Sequence, residues 1–307
     1  MFLKKIVRKA AGAGRLCLRA CGKLKKRTGL HRVKDRGAVE KVEQYAAYAY
    51  LQKKYKKILM SEVTPEGQPK NSRIIWLCWF SGFETAPALV RSCCRAMQER
   101  LPGYQIVLLT DENIGQYVQL PDYIEEKRKK GIIPPAHYSD LVRTALICRH
   151  GGFWMDATVL CTDPAFVDYI MEQPLFVFKE VLLYKTDAQP TVASSWLIGG
   201  LSNQPILLLT QKLLYAYWQK EKKLRHYFLF HLFFAMATAR FDKDWKQVPT
   251  FNNISPHILQ FEMTEPFDRA RWEQIKSFSA IHKLNHHIPY DSKADTYYTR
   301  LINGELR

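Results

Sequence analysis

Apolar positions in the middle of this chain alternate between the spacing of buried strands and that of amphipathic helices. Residues 73–82 are almost continuously apolar over one strand length and end in small residues, as is typical of a buried parallel strand. A helical pattern follows at residues 87–100, and a second short apolar run covers residues 105–109 before a polar turn. This order predicts a strand–helix–strand unit, and therefore an α/β fold with a mostly parallel central sheet flanked by helices.

The next informative stretch covers residues 138–162. Apolar residues at helical spacing predict an amphipathic helix, with Ser139 as its candidate N-cap and Gly151-Gly152 as its end. An aromatic run then predicts a buried strand that stops at Asp156. A carboxylate at that place costs several kcal/mol to desolvate unless a cation meets it. The arrangement therefore indicates a metal or phosphate site.

The remaining pattern is that of a compact domain. A ten-residue apolar run at 227–236 is too short to span a bilayer, so we expect a buried helix in which His231 is a core histidine. Further elements are predicted as two strands, one helix and a late strand, at residues 175–178, 194–198, 205–214 and 277–281. Because ligands of such sheets bind beyond the carboxyl ends of the strands, we expect Trp79, Ser81, Asp111 and Asp156 to converge there.

Residues 139–158 contain, in order, Ser-Asp-x-x-Arg on a helix, Gly-Gly, an aromatic strand and Asp-x-Thr. This order resembles the capsular polysaccharide synthesis protein family of glycosyltransferases and, more distantly, glycosyltransferase family 32 and the clostridial glucosylating toxins. The resemblance implies a GT-A-like fold, related to the Rossmann fold. It also implies transfer of a sugar from a nucleoside diphosphate sugar with retention of anomeric configuration, and a Mn²⁺ or Mg²⁺ ion on the diphosphate.

Carried over by position, the resemblance makes Asp140, Arg143 and Asp156 the catalytic residues. Asp140 and Arg143 would hold the donor sugar, and Asp156 would bind the metal with His282. Thr158 stands where the wider pattern has a second Asp. The implied nucleotide-sugar site consists of Trp79, Ser81, Tyr138, Asp140, Arg143, Asp156, Thr158 and Lys283.

Several of these residues have an ordinary structural interpretation as well. Asp140 and Arg143, three residues apart, could form a surface ion pair on one helix face. Trp79, expected to stack on uracil, could be a core residue, and Tyr138 could pack under the start of the helix. Each alternative is open on the sequence alone.

Basic residues are concentrated at the N-terminus. Residues 1–36 hold thirteen Lys and Arg against one Asp, a net +12 of the chain's +17. Apolar residues at helical spacing among lysines predict a cationic amphipathic helix that binds an anionic membrane, with a solvated extension as the alternative. Arg15 and Arg19 interrupt the only candidate signal-peptide region, and no nucleic-acid-binding module is recognisable, so we expect no nucleic-acid partner.

These patterns divide the 307-residue chain into three parts. We predict a basic amphipathic N-terminal tail at 1–36, a helix and linker at 37–70, and a GT-A-type glycosyltransferase domain at 71–307. The seven cysteines lack the spacing of a zinc site or a disulfide framework, which suits a reducing compartment. With the basic tail, this predicts a cytoplasmic enzyme, peripheral on the inner face of the plasma membrane.

The predicted function is that of a metal-dependent, retaining hexosyltransferase. The expected donor is a UDP-sugar, and the expected acceptor is a cell-surface or capsular polysaccharide or a lipid-linked glycan. Two alternatives stay open. The chain could be a non-catalytic peripheral membrane scaffold with a decayed sugar-nucleotide pocket, or a metal-dependent hydrolase or phosphotransferase, since a fold does not fix a function.

Overall fold

A computed structural model describes residues 36–65, 67–183, 189–291 and 294–306. The predicted tail, residues 1–36, therefore lies outside the described residues except for Arg36. The chain enters the structure through helices α1 (Arg36–Lys54) and α2 (Lys56–Leu59) and then continues into a central sheet.

The central sheet is mixed and mostly parallel. Its strand order is β2-β1-β3-β6-β5, in which β1 runs parallel to β2 and β3 while β6 runs antiparallel to both of its neighbours. Its strands are β1 (Ile74–Cys78), β2 (Gln105–Leu109), β3 (Gly152–Met155), β5 (Leu175–Lys179) and β6 (Ala193–Gly200), and a separate antiparallel pair is formed by β4 (Val159–Cys161) and β7 (Ile281–Lys283). The predicted α/β class is confirmed, and the arrangement is consistent with a GT-A-like fold.

Helices cover both faces of this sheet. They are α3 (Ala88–Arg100), α4 (Ile114–Tyr117), α5 (Asp122–Lys129), α6 (Pro135–His150), α7 (Pro164–Met171), α8 (Pro205–Lys220), α9 (Leu229–Arg240), α10 (Asp242–Gln247), α11 (Ile258–Glu262), α12 (Arg269–Phe278) and α13 (Tyr297–Ile302). Alternate side chains of β1 and β3 point to opposite faces of the sheet and enter two cores. Trp76 and Trp154 lie in the core on the face covered by α6, α8 and α9. Leu77 and Phe153 lie in the core on the face covered by α3 and α7.

The first two helices share the larger core. Tyr48, Leu51, Tyr55 and Leu59 are buried in the same cluster as the side chains of α8 and α9. The core thus continues across the predicted boundary at residue 71, and where the catalytic domain begins stays a prediction.

Glycines allow close approach where β3 meets its neighbours. Gly151 ends α6 with φ of 72°, as the glycine pair predicts. A Cβ on Gly199 would lie 2.2 Å from the carbonyl oxygen of Gly152, so β3 and β6 can pair only with glycine there. Gly199 and Gly200 are accordingly the last residues of β6.

Two element boundaries differ from the sequence prediction. Helix α6 begins at Pro135, because proline is well suited to a first helical position, and Ser139 lies inside the helix with its hydroxyl donating to the Ala136 carbonyl. Residues 277–278 end α12 instead of starting a strand, since Trp272 and Ile275 bury one helical face. The apolar run at 227–236 forms most of α9, which is buried. None of the helices in the described ranges has the length and apolarity to cross a bilayer.

Candidate functional site

The carboxyl ends of β1 and β3 open into one pocket. Because these strands are parallel, the residues that follow them meet at the same edge of the sheet, where the N-terminal part of α6 closes one side. The pocket has a volume of about 440 Å³ and is lined by Cys78, Trp79, Phe80, Ser81, Pro135, Ala136, Ser139, Trp154, Asp156, Ala157, Thr158, Lys283 and His286.

Asp156 is the carboxylate of this pocket. Its Oδ1 accepts a hydrogen bond from Trp154 Nε1 at 2.9 Å and lies 3.6 Å from a terminal nitrogen of Arg143. Its Oδ2 lies 3.4 Å from Lys283 Nζ. The Asp156 side chain is 29% exposed, so two cations neutralise a carboxylate that still faces the pocket.

Arg143 joins the carboxylates of Asp140 and Asp156 beside the pocket. Its guanidinium lies 3.6 Å from an oxygen of each, and it donates to the backbone carbonyls of Ser195 and Ser139. Its side chain is only 6% exposed. The interpretation as a surface ion pair is therefore wrong. A buried guanidinium with this many partners fixes the position of both carboxylates.

Asp140 is buried between a histidine and an arginine. Its Oδ2 lies 3.2 Å from His137 Nδ1, and its Oδ1 faces Arg143. Burial alone would raise the pKa of this carboxyl, but Arg143 and the hydrogen bond from His137 together hold its pKa below the usual value. Asp140 therefore carries a negative charge, but it is buried, and neither it nor Arg143 lines the pocket.

His231 of α9 is half-buried near this network, with its Nδ1 atom fully buried. Burial lowers its pKa from 6.5 to about 4. Between these two pH values the unfolded chain binds a proton that the folded chain does not, so the free energy of unfolding falls as the pH decreases from 6.5 to 4.

We expect this histidine to make the free energy of unfolding about 2 kcal/mol lower at pH 5 than at pH 7. Urea unfolding at several pH values measures the effect. His231→Gln should flatten the pH dependence in this window, whereas His287→Gln, which changes an exposed histidine, should leave it as in the wild type. An equal slope for His231→Gln and wild type would contradict the prediction.

Lys283 reaches the pocket from the second, two-stranded sheet. Strand β7 pairs with β4 so that Lys283 stands opposite Val159, and its ammonium donates to Thr158 Oγ1 at 2.5 Å and to the Leu284 carbonyl at 3.3 Å. Residues 125 positions apart in the chain are joined by the first of these bonds. The pairing of β7 with β4 thus places Lys283 beside Asp156 and Thr158.

Three further residues expected at the site also lie outside the pocket lining. Tyr138 is buried, and its hydroxyl donates to Glu125 at 2.8 Å, so it packs under the start of the helix and does not line the pocket. His282 is fully buried, with Nε2 at 3.1 Å from Thr162 Oγ1, because neighbouring residues of a strand point to opposite sides and Lys283 takes the pocket side. Asp111 pairs with Arg128 and does not line the pocket.

Trp76 in β1 and Trp79 just after it lie in different surroundings. Trp76 is buried and donates from Nε1 to the Gly151 carbonyl, whereas Trp79 lines the pocket. The ring of His286 stands edge-on to Trp79, with 5.1 Å between ring centroids. Sequence reasoning assigned His286 to a polar loop, because no fixed spacing connects it to the motif. It missed Trp154 and Ser139, because each was assigned a purely structural role.

The residues present do not fit the expected metal site. Asp156 and His282, the two predicted ligands, are not brought together, since the imidazole lies against Thr162 and Trp272. Within the part of the chain that the structure describes, no three His, Cys, Asp or Glu residues are grouped so that they could hold a metal ion. The partners of Asp156 are the indole N–H of Trp154 and two cations, Arg143 and Lys283, none of which can ligate a hard divalent cation.

Comparison with known proteins agrees with the resemblance in the sequence. The family described as "Capsular polysaccharide synthesis protein" matches residues 28–301. Among solved structures, the chain is similar to the "PaToxG Glycosyltransferase", with 14% sequence identity, a TM-score of 0.38, and coverage of 86% of this chain and 96% of that chain. No curated protein matches the chain.

Proposed function

The chain belongs to the capsular polysaccharide synthesis protein family, and from this premise we propose that it is a glycosyltransferase that uses a UDP-sugar as donor. The acceptor we propose is a hydroxyl of a cell-surface or capsular polysaccharide or of a lipid-linked glycan. We further propose a hexose as the transferred sugar and retention of its anomeric configuration, which proton NMR of the product tests.

The observation that carries this proposal is the composition of the pocket. At the carboxyl ends of two parallel strands, Trp79 offers an aromatic face, Lys283 offers a positive charge, and Asp156 offers a carboxylate. These are the groups that a base, a diphosphate and the hydroxyls of a sugar require, in that order.

The chemistry needs positive charge at the departing diphosphate. Cleavage of the anomeric bond leaves negative charge on the phosphate oxygen, and cations already in place stabilise that charge without reorganisation. Lys283 is the cation that lines the pocket, and Arg143 holds Asp156 and Asp140 in position behind it.

The test is UDP release from a panel of sugar nucleotides, together with calorimetric binding of UDP. Turnover of one donor, with UDP released in proportion to transfer or hydrolysis, supports the proposal. Binding of UDP without turnover of any donor would favour the scaffold with a decayed pocket. Release of inorganic phosphate without sugar transfer would favour the hydrolase, and absence of UDP binding would overturn the sugar-nucleotide site.

Trp79 should contribute to nucleotide affinity. We expect Trp79→Ala to weaken UDP binding by about 10- to 100-fold, because base–aromatic stacking contributes roughly 1–3 kcal/mol. Trp79→Phe, which keeps a ring face, should lose much less affinity. Binding of inorganic pyrophosphate to Trp79→Ala should equal that of the wild type. A uniform loss for UDP and pyrophosphate would contradict the stacking role.

We propose that the enzyme works on an anionic membrane surface at the inner face of the plasma membrane. Residues 181–183 form an apolar segment at the surface, with Leu183 98% exposed. Just before it, Glu180 pairs with Lys41 of α1 at 3.6 Å, so this segment lies beside the helix that follows the basic N-terminal sequence. Apolar side chains next to a concentration of positive charge favour an anionic bilayer.

Neutralising four cations of the tail, Lys4, Lys5, Arg8 and Lys9, to glutamine should release the protein from phosphatidylserine vesicles, since each basic residue near the surface contributes about 1 kcal/mol. Leu183→Glu should weaken the same binding. Phe261→Glu, which changes an exposed apolar residue of α11, is the control and should not. Vesicle flotation measures all three, and equal binding of every variant would contradict the membrane proposal.

A further inference from the structure

A cation of the protein already stands between the first and third residues of the Asp-x-Thr motif. Lys283 Nζ lies 3.4 Å from Asp156 Oδ2 and 2.5 Å from Thr158 Oγ1. A divalent ion coordinated by this motif would have to contact the same two side chains, Asp156 and Thr158. The ammonium and the ion therefore compete for one place.

The chemistry of the two motif residues favours the ammonium. Hard divalent cations take carboxylate and carbonyl oxygens, and they are held more firmly by two carboxylates than by one. Thr158 supplies a neutral hydroxyl that is buried and accepts a hydrogen bond from the lysine. Replacement of a carboxylate by a hydroxyl at this position lowers affinity for a divalent ion while leaving a partner for an ammonium group.

The charge of Asp156 is already matched on both of its oxygens. Oδ1 accepts from Trp154 and faces Arg143, and Oδ2 faces Lys283. A divalent ion on this carboxylate would place like charges next to Lys283 and Arg143, at distances where their repulsion is substantial.

Lys283 retains the capacity to bind a phosphate. The ammonium has three N–H groups, and its hydrogen bonds to Thr158 and to the Leu284 carbonyl use two of them. Its side chain is 19% exposed and lines the pocket. Its third partner, Asp156 Oδ2, lies 3.4 Å away, too far for a short hydrogen bond, so the third N–H can turn to a diphosphate oxygen while the Asp156 carboxylate keeps the ammonium in place.

We propose that Lys283, held by Asp156 and Thr158, takes the place of a divalent metal ion at the donor diphosphate, so that sugar transfer proceeds without a metal. The inference rests on the proposed function. The bond between the anomeric carbon and the β-phosphate oxygen breaks, and its electron pair passes to that oxygen beside Lys283. The anomeric carbon bonds to the acceptor hydroxyl oxygen, whose proton is released to solvent.

The experiment compares the full chain after treatment with EDTA and after addition of Mn²⁺ or Mg²⁺. Calorimetric binding of UDP and release of UDP from the best donor are both measured. We expect wild-type binding and turnover to be the same in the two conditions. Lys283→Met should lower turnover by about 100-fold with or without metal, because it removes a preplaced cation from the developing charge.

Lys246→Met is the matched control, because Lys246 is 73% exposed and pairs only with Asp242 of its own helix among the contacts described. It should retain wild-type binding and turnover. Lys283→Arg, which keeps the charge, should recover part of the turnover lost in Lys283→Met. Thermal melting shows whether each variant is folded, and the arginine variant keeps the test valid if the methionine variant is not.

The double variant Thr158→Asp with Lys283→Met converts the site to two carboxylates without the lysine. We expect its UDP binding to become dependent on Mn²⁺. If EDTA abolishes binding and turnover by the wild type and Mn²⁺ restores them, the inference is overturned while the proposed function stands. If the wild type neither binds UDP nor turns over a donor in either condition, both are overturned.

Discussion

Replacing Arg143 by methionine is expected to lower the free energy of unfolding by about 3–5 kcal/mol, because removing one partner of a buried ion pair leaves an uncompensated charge. Asp140 and Asp156 would both lose this guanidinium, and the carbonyl of Ser195 would lose a donor. The pKa of Asp140, which Arg143 helps to hold low, would rise in the variant. Urea unfolding at neutral pH measures the loss.

The matched control is Arg73→Met. Arg73 also pairs with a carboxylate, that of Asp168 at 2.7 Å, but both side chains are more than half exposed. Water screens that pair, so its loss should change stability far less. Arg143→Lys keeps the charge but lacks the planar fork and should fall between wild type and methionine. Equal stability of the Arg143→Met and Arg73→Met variants would contradict the role assigned to the buried network.

Replacing Asp156 by asparagine is expected to reduce UDP-sugar turnover by about 100- to 1,000-fold, the range seen when one preorganised group of an active site is removed. The asparagine keeps the shape of the side chain but not the charge that positions Lys283 and Arg143. With the anchoring charge gone, the two cations would no longer be fixed for the diphosphate. Steady-state kinetics with the preferred donor measures the change.

Stability and turnover should separate in this variant. Asp156 is partly exposed, and the side-chain oxygen of the asparagine can still accept the hydrogen bond from Trp154 Nε1. The melting temperature should therefore stay close to that of the wild type. The control is Asp111→Asn, which neutralises an exposed carboxylate after the neighbouring strand and should leave turnover unchanged. A normal rate for Asp156→Asn would remove Asp156 from the proposed site.

Local regularities explain why much of the fold could be predicted. The apolar runs that became β1 and β2 are bounded by polar or small residues, so their length and type follow from the sequence. The glycine pair at 151–152 marks the end of α6 because positive φ is costly for other residues. The predicted start of that helix at Ser139 was wrong, because proline at the first position competes with a serine cap four residues later.

Only the site residues that lie close together in the sequence could be predicted to lie close together in the structure. Asp140, Arg143 and Asp156 lie within one helix–strand segment, so their order in the chain placed them near one another. The direction of each side chain on β7 was not predictable, because the strand is only three residues long and its register with β4 decides whether His282 or Lys283 faces the pocket. The hydrogen bond from Tyr138 to Glu125 was not predictable either, because it joins α6 to α5 and depends on how these two helices pack.

Four features follow from the sequence without the structure: the α/β class, the family, the aspartate at the end of a buried strand, and the concentration of positive charge before residue 37. These depend on short-range patterns of apolar residues, turn residues and charges. The tertiary structure alone decided which cation meets Asp156. The pairing of β4 with β7 brings together Thr158 and Lys283, which are 125 positions apart, and the alternation of side chains along β7 turns His282 into the core. No local pattern encodes that register, since it follows from packing against α12 and from the pairing of backbone groups across the whole domain.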